Sequence, residues 1–426
     1  MDGVVITGTG AVSPLGTGVP RLTQGLLGNE VAVRPAPWAA PDSAAWWTAV
    51  PDFRPLDWMS EQVEAGTDLF AQFALAAAEQ AVRQAGLAEF DPRRTAVVHG
   101  TSMGGMRALA KGQYQLDMSG PDAIDRKTVI KIWPNMAAAQ MAMRYGLHGP
   151  QITVCTACAS SIDAIGTAAR LIAEGRADVA IAGGTEGGFP LASGEPDGDF
   201  VPVNFYAQAR FAMETGSTDR LRASLPFDVA RSGIVTGEGS AMVVLERATH
   251  ARARGATPLA EVVGYASLAD GFHPSSPDPT GQWEAAAMAD AISDAGLTAG
   301  QIGALIAHGT ATPKGDTAEI RAINAVHGGR PGPLPVTSLK GHLGHTGASA
   351  GAMGVIAGIT ALTTGAFPNT AGTREVDPEA DFLVVTKQPA EVDAAYLQVN
   401  AFGFGGQDSS LVLRQITERV GRRGSA

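Results

Sequence analysis

Short β-branched apolar runs alternate along the chain with longer stretches in which Ala, Ile and Leu recur every three or four positions, the pattern of strands alternating with helices. Val4-Val5-Ile6 opens a strand at once. Leu75 to Leu87 has helical spacing and leads into the strand run Thr95-Ala96-Val97-Val98, which ends in His99-Gly100-Thr101. The same order returns much later. Ala285 to Leu297 is helical, closes on Asp294-Ala295-Gly296-Leu297, and leads into Ala304-Leu305-Ile306-Ala307, which ends in His308-Gly309-Thr310. Two further pairs match: the Gly-rich turn and helix at Cys158 against those at His345, and the closing strands Met242–Leu245 and Leu411–Leu413. Self-similarity of this length marks a duplicated architecture. The pattern predicts two α/β halves, residues 1–253 and 254–426, joined near Arg252–Thr257, with mixed or parallel sheets covered by helices. The stretches 34–58 and 188–224 break the alternation and are expected as surface excursions that carry partner contacts or cap a pocket.

One junction carries candidate chemistry. The run Ile152–Cys155 is β-type, and Ile162, Ile165, Ala169 and Ile172 recur at helical spacing before the stop at Gly175, so Cys158 stands at a helix start. The unpaired N–H groups and positive dipole end there can bring a thiol from about 8.5 into the range of roughly 3.5–7.5. Two other readings stay open at this point: a small buried filler, and a redox C-x-x-C pair with Cys155, although Cys155 is expected to point from its strand into the core.

Composition narrows the setting. The 426 residues are 45% hydrophobic and 17% charged, which supports large cores, and the net charge of −11 argues against nucleic acid as a partner. An acidic total still permits a local basic patch for an acidic partner. The N-terminus shows no export signal, and the apolar stretch Ala348–Leu362, interrupted by Gly, is expected as a buried helix rather than a membrane span. With Cys155 and Cys158 as its two cysteines, the chain fits a reducing cytoplasm.

Two histidine loops join the cysteine. His308 stands where an apolar strand opens into His308-Gly309-Thr310-Ala311-Thr312-Pro313, and Lys340-Gly341-His342-Leu343-Gly344-His345 holds a lysine and two histidines at another helix start. Strand ends are where α/β folds keep their sites.

In these motifs the chain resembles the β-ketoacyl-acyl-carrier-protein synthases, elongating condensing enzymes of the thiolase superfamily, over essentially its whole length. Thr156-Ala157-Cys158-Ala159-Ser160-Ser161 matches the nucleophile motif, His308-Gly309-Thr310-x-Thr312-x-x-Gly315-Asp316-x-x-Glu319 the first histidine motif, and Lys340-x-x-x-Gly344-His345-Thr346 the lysine-histidine motif. Pro226-Phe227-Asp228, Gly237-Glu238-Gly239 and the C-terminal loop Asn400-Ala401-Phe402-Gly403-Phe404-Gly405-Gly406 match as well. The resemblance implies a duplicated thiolase-like fold with a layered α-β-α-β-α core. It implies a decarboxylative Claisen condensation, in fatty-acid or dissociated polyketide elongation, using substrates carried on the phosphopantetheine of an acyl carrier protein, with no cofactor or metal of its own. Cys158 would hold the acyl chain, and backbone N–H groups of Cys158 and Phe404 would meet its oxyanion. His308 and His345, as neutral imidazoles with the proton on the inward nitrogen, would stabilise the enolate, and Lys340 would support them while contacting Glu319. His342 falls outside the catalytic position. Thr310 and Thr312 would track the pantetheine arm, with Phe402 and Ser275 in the same substrate-binding set; Phe404 would gate the cysteine and Met103 line or close the acyl pocket. The implied assembly is a homodimer or a heterodimer with a chain-length-factor-like subunit, and 133–136 would act across the interface. Two departures stand out: Gln407-Asp408 replaces the family's usual Thr-Asn, and 188–224 is long. A degradative thiolase would need a second cysteine near the C-terminal glycine loop, and a non-catalytic subunit would lack Cys158.

Overall fold

The computed structural model describes residues 2–36, 45–187, 207, 211 and 213–416. Ten strands and six helices set the site. In the first half these are β1 (Val4–Ser13), α1 (Leu69–Ala85), β2 (Thr95–Gly100), α2 (Met136–Tyr145), β3 (Gln151–Val154), α3 (Ser160–Ala173), β4 (Val179–Glu186) and β5 (Gly239–Arg247). The second half supplies β6 (Ala260–Ala269), α4 (Gln282–Asp294), β7 (Ile302–Ile306), α5 (Pro313–His327), β8 (Pro335–Thr337), α6 (Ala350–Thr364), β9 (Tyr396–Gly403) and β10 (Gln407–Arg414).

Strand order makes the duplication explicit. The first half runs β1-β5-β4-β2-β3 and the second β6-β10-β9-β7-β8, with Leu383–Val384 beyond β8. In each half the three strands farthest from the join are parallel and the two nearest it antiparallel, and β1 pairs with β6 through Val4↔Val262, Val5↔Glu261 and Ile6↔Ala260. The helices are bounded by the residues that the sequence marks. Asp68 accepts the Leu69 N–H at 2.8 Å at the head of α1, and Gly86 (φ 64°) ends it, as Gly296 (φ 68°) follows α4.

Among the described residues the three largest apolar clusters correspond to three helical layers. The central one joins strands from both halves of the sheet to α3 and α6; α1 and α2 cover the outer face of the first half, and α4 and α5 that of the second. This is the layered α/β arrangement expected. The stretch Gly347–Thr364 does have the length and apolarity of a membrane span, more than its sequence suggests, but 72% of it is buried within the protein.

Two expectations are corrected here. Strand β3 stops at Val154, so Cys155 lies beyond it and is exposed rather than pointing into the core. The stretch 34–58 is not a simple surface excursion: Trp46–Thr48 pairs with Thr236–Gly237, Trp47 and Val50 are buried, and the Thr48 hydroxyl donates to Leu343 O at 2.5 Å beside the histidine loop. Most of 188–224 lies outside the described residues; within its described end, Ala223 and Ser224 are buried.

Candidate active site

The cysteine sits on an elbow. Ala157 takes a left-handed conformation (φ 49°), a short 3₁₀ turn covers Ala157–Ala159, and α3 follows. Such a conformation costs a non-glycine residue about 1–2 kcal/mol, a strain retained where the surroundings fix it. The Ser160 hydroxyl fixes it here, accepting from the Thr156 N–H at 3.0 Å and donating to Ala157 O at 2.6 Å. The Phe402–Gly406 loop lies directly against this elbow. A Cβ on Gly403 would stand 2.7 Å from Thr156 O and 3.2 Å from Cys158 N, so glycine there permits the approach.

His345 Nε2 is 3.0 Å from Cys158 Sγ. Its Nδ1 accepts the Gly347 N–H at 3.2 Å, which leaves the ring proton on Nε2, facing the sulfur. The His308 ring packs edge-on to His345 with centroids 5.3 Å apart, and Phe402 lies 5.9 Å beyond it. Lys340 Nζ is 3.3 Å from His308 Nδ1 and also donates to His308 O, so the proton of His308 likewise faces the cavity. Burial first, and then the Lys340 charge, holds both imidazoles well below their usual pKa, and they are neutral donors.

The thiol behaves differently from the expectation drawn from its helix. Burial pushes Cys158 up to about 11, against the lowering influence of Lys340 and of hydrogen bonds from the Phe404 and Cys158 backbone N–H groups. Desolvation of the thiolate outweighs the helix end, and the carboxyl of Glu186 adds to it. The sulfur therefore rests as a protonated thiol.

Lys340 and Glu319 form no direct ion pair. Instead Glu319 accepts the His308 and Gly309 N–H groups at 2.7 and 2.6 Å, so acid and lysine grip the same residue from two sides. Burial raises the Glu319 carboxyl and lowers the Lys340 ammonium. His342 is buried away from the cavity, its ring nitrogens 2.7 Å from Glu30 O and Asn369 O.

Cys158, His308, His345, Glu319, Phe402, Phe404, Thr310, Thr312 and Ser275 border one cavity of about 520 Å³. Thr310 and Thr312 share a hydroxyl hydrogen bond of 2.8 Å, and Thr312 caps α5 by accepting the Gly315 N–H at 3.1 Å. Phe404 is 42% exposed at the cavity. Met103 lies outside this cavity, half-buried, with its N–H on Glu186. The sequence motifs did not single out Glu186, which accepts from Ser102, Met103 and Ala348 N–H groups and ties the loop after β2 to the start of α6. Its position at the end of β4 was the available signal. The motifs likewise left out Glu284 on α4, which borders the cavity.

The ligand atoms of Cys158, His308 and His345 lie within 4.8 Å of one another, a sulfur and two imidazoles that could hold a zinc-like ion. The same atoms also form a thiol facing two N–H donors, which suits acyl transfer and oxyanion binding.

Comparison with known proteins identifies the family. The family model described as beta-ketoacyl synthase, N-terminal domain, matches residues 1–251, and the beta-ketoacyl synthase, C-terminal domain, matches residues 259–374. The 3-oxoacyl-[acyl-carrier-protein] synthase 2 of Coxiella burnetii is 35% identical over 97% of this chain and 98% of its own. That of Rhizobium meliloti is 35% identical over 98% and 100%. Among solved structures, the ishigamide ketosynthase/chain length factor superposes with a TM-score of 0.88 at 32% identity, covering 98% of this chain and 100% of that one. A type II PKS acyl-carrier protein in complex with its ketosynthase bound to the hexaketide gives 0.88 at 27% identity, covering 97% and 100%.

Proposed function

Because the chain belongs to the β-ketoacyl synthase family, we infer that the Cys158 cavity extends an acyl chain by decarboxylative condensation with a malonyl thioester. The observation that supports these residue roles is the approach of His345 Nε2 to Cys158 Sγ beside His308, with both ring protons turned to the cavity.

In the first step Cys158 Sγ attacks the acyl thioester. The new S–C bond forms as the carrier's S–C bond breaks, and the departing thiolate takes up the proton. In the second, the bond between the malonyl methylene and its carboxylate breaks and CO₂ leaves. The electron pair remains as an enolate whose oxygen receives the Nε2–H groups of His308 and His345. The enolate carbon then attacks the acyl carbonyl on Cys158, and the oxyanion formed there meets the Cys158 and Phe404 N–H groups. Collapse releases the β-ketoacyl thioester and a thiolate that takes one proton, so the overall reaction consumes one.

The carrier is read as an acyl carrier protein, in keeping with the related ketosynthase complex, and Thr310, Thr312, Phe402 and Ser275 as the lining that meets its pantetheine arm. Free thiols at Cys155 and Cys158 fit a reducing cytoplasm. A second reading, a ketosynthase subunit paired with a chain-length-factor-like partner, is favoured by the likeness to the ishigamide assembly and by the exposed apolar side chains of Val129, Trp133 and Met143.

Intact-mass analysis after incubation with an acyl carrier thioester tests the reading. An acyl adduct on the native chain, absent in Cys158→Ala, followed by a β-ketoacyl product once malonyl carrier is added, is expected. A native chain that takes no acyl group would overturn it.

A further inference from the structure

One wall of the Cys158 cavity carries more carboxyls than the condensation described above uses: Glu284 on α4, Asp408 in β10, and Asp270 beside them. Glu284 and Asp408 are 3% and 2% exposed, and Glu284 Oε2 and Asp408 Oδ2 have no hydrogen-bond partner. Their neighbours are already engaged. Asp270 accepts the Phe272 and Asp278 N–H groups at 2.9 and 3.1 Å, Asp278 takes Thr280 and Gln282, and Glu319 holds the His308 and Gly309 N–H groups. A buried polar atom without a partner is costly, and a ligand in the cavity would relieve that cost.

Charge defines the ligand. The groups facing Asp408 are Asp270 and Asp278 from the segment before α4, Glu319 from α5 and Glu284 from α4; those facing Glu284 are Glu319, Asp408, Asp270 and Asp316. Lys340 acts on Glu319 and Asp316. Burial, reinforced by these carboxyls, raises Asp408 to about 7 and Glu284 well above the usual carboxylate range. A protonated carboxyl is an O–H donor, and it pairs best with an anionic oxygen.

We propose that Glu284 and Asp408 form the subsite for the free carboxylate of the extender thioester, each donating an O–H hydrogen bond to it. This rests on the condensing reading above and deepens it. An acyl thioester bound for Cys158 has no such carboxylate, so the subsite serves the second half-reaction alone. It discriminates the dicarboxylic extender from the monocarboxylic chain within one cavity. Its bonds are made to the carboxylate before CO₂ leaves, so they act on KM for the extender more than on kcat. Once Asp408 ionises, its donor becomes a repelling charge, and binding weakens as pH rises through its titration.

The test follows the condensation kinetics of pre-acylated enzyme with malonyl carrier protein between pH 6 and 8.5, for the native chain, Asp408→Asn and Glu284→Leu. Acylation of Cys158 is measured in the same samples as the reference for folding. The native KM is expected to rise about 10-fold across this range, the value of one charge-assisted hydrogen bond. Asp408→Asn, whose amide still donates and does not ionise, is expected to flatten that profile, and Glu284→Leu to raise KM about 10-fold at pH 6.5. A native KM independent of pH, or variants whose KM follows the native profile, would overturn the subsite. Failure of the condensing reading is separate: the native enzyme would then show neither an acyl adduct nor CO₂ release.

Discussion

His99 and His308 occupy the same place in the two halves of the fold, each at the end of the middle strand of its parallel trio, β2 or β7, and each followed by Gly and Thr. His99 is fully buried against Phe70, with centroids 6.5 Å apart, and neither ring nitrogen has a partner. Burial alone pushes it down to about 3. His308 borders the cavity, has Lys340 at Nδ1 and has its backbone N–H held by Glu319. In the first half Glu186, at the end of β4, accepts the N–H groups of Ser102 and Met103, beyond His99. Duplication therefore supplies a strand-end histidine twice, and of the two it is His308 that has both a cation behind it and a cavity before it.

The sharpest break in the comparison comes from His308→Ala. Removing one preorganised donor to a developing oxyanion costs about 10²–10³ in rate, and CO₂ release from malonyl carrier protein is expected to fall by about that factor. Acylation of Cys158 should continue, because that step draws on the Cys158 and Phe404 N–H groups. Release of ¹⁴CO₂ alongside intact mass separates the two, and unchanged CO₂ release would remove His308 from the enolate site.

Much of this is legible in the sequence. The repeated spacing from helix to His-Gly-Thr located both histidines, and Ile162, Ile165, Ala169 and Ile172 all lie buried on α3. Local periodicity carries that information because it sets which face of an element is apolar. The sign of the Cys158 shift was not legible, because a helix start is a local feature whereas desolvation depends on loops from both halves closing over the sulfur. Burial of Trp47 and Val50 was hidden for the same reason, since their partners arrive from Thr236 and Glu238. The meeting of Glu284 with Asp408 depends on α4 packing against β10, which no spacing in the chain announces.

A smaller effect sharpens the contrast on the His99 side. The unfolded chain takes up a proton near 6.5, whereas folded His99 does so near 3, so the unfolded state binds more protons between these values. The stability tied to this group is intact above about 6.5 and declines as pH falls toward 3, by up to about 1.4 kcal/mol per pH unit. His99→Met removes both the titration and two unpartnered nitrogens. Its Tm is expected to match or exceed the native value at pH 7.5 and to lead it by a widening margin at pH 6 and 5, while condensation persists. A constant Tm difference across pH would show that His99 has partners in solution, and loss of condensation would end the distinction between the two histidines.

The smallest effect concerns the elbows themselves. Ala157 (φ 49°) and Gly347 (φ 57°) open equivalent 3₁₀ turns ahead of α3 and α6, but only the second is a glycine. Left-handed backbone costs alanine about 1–2 kcal/mol, and glycine's extra freedom in the unfolded chain returns about 0.4–1 kcal/mol of that. Ala157→Gly is therefore expected to stabilise the protein by about 0.5–1 kcal/mol, read as a higher urea midpoint at unchanged slope. Gly347→Ala should do the opposite, because its Cβ would stand 3.0 Å from Glu186 Cγ and Oε2. If Ala157→Gly also lowers the rate of Cys158 acylation, the alanine holds the thiol in position at a cost in stability; if the rate is unchanged, the strain is incidental and Ser160 alone fixes the elbow.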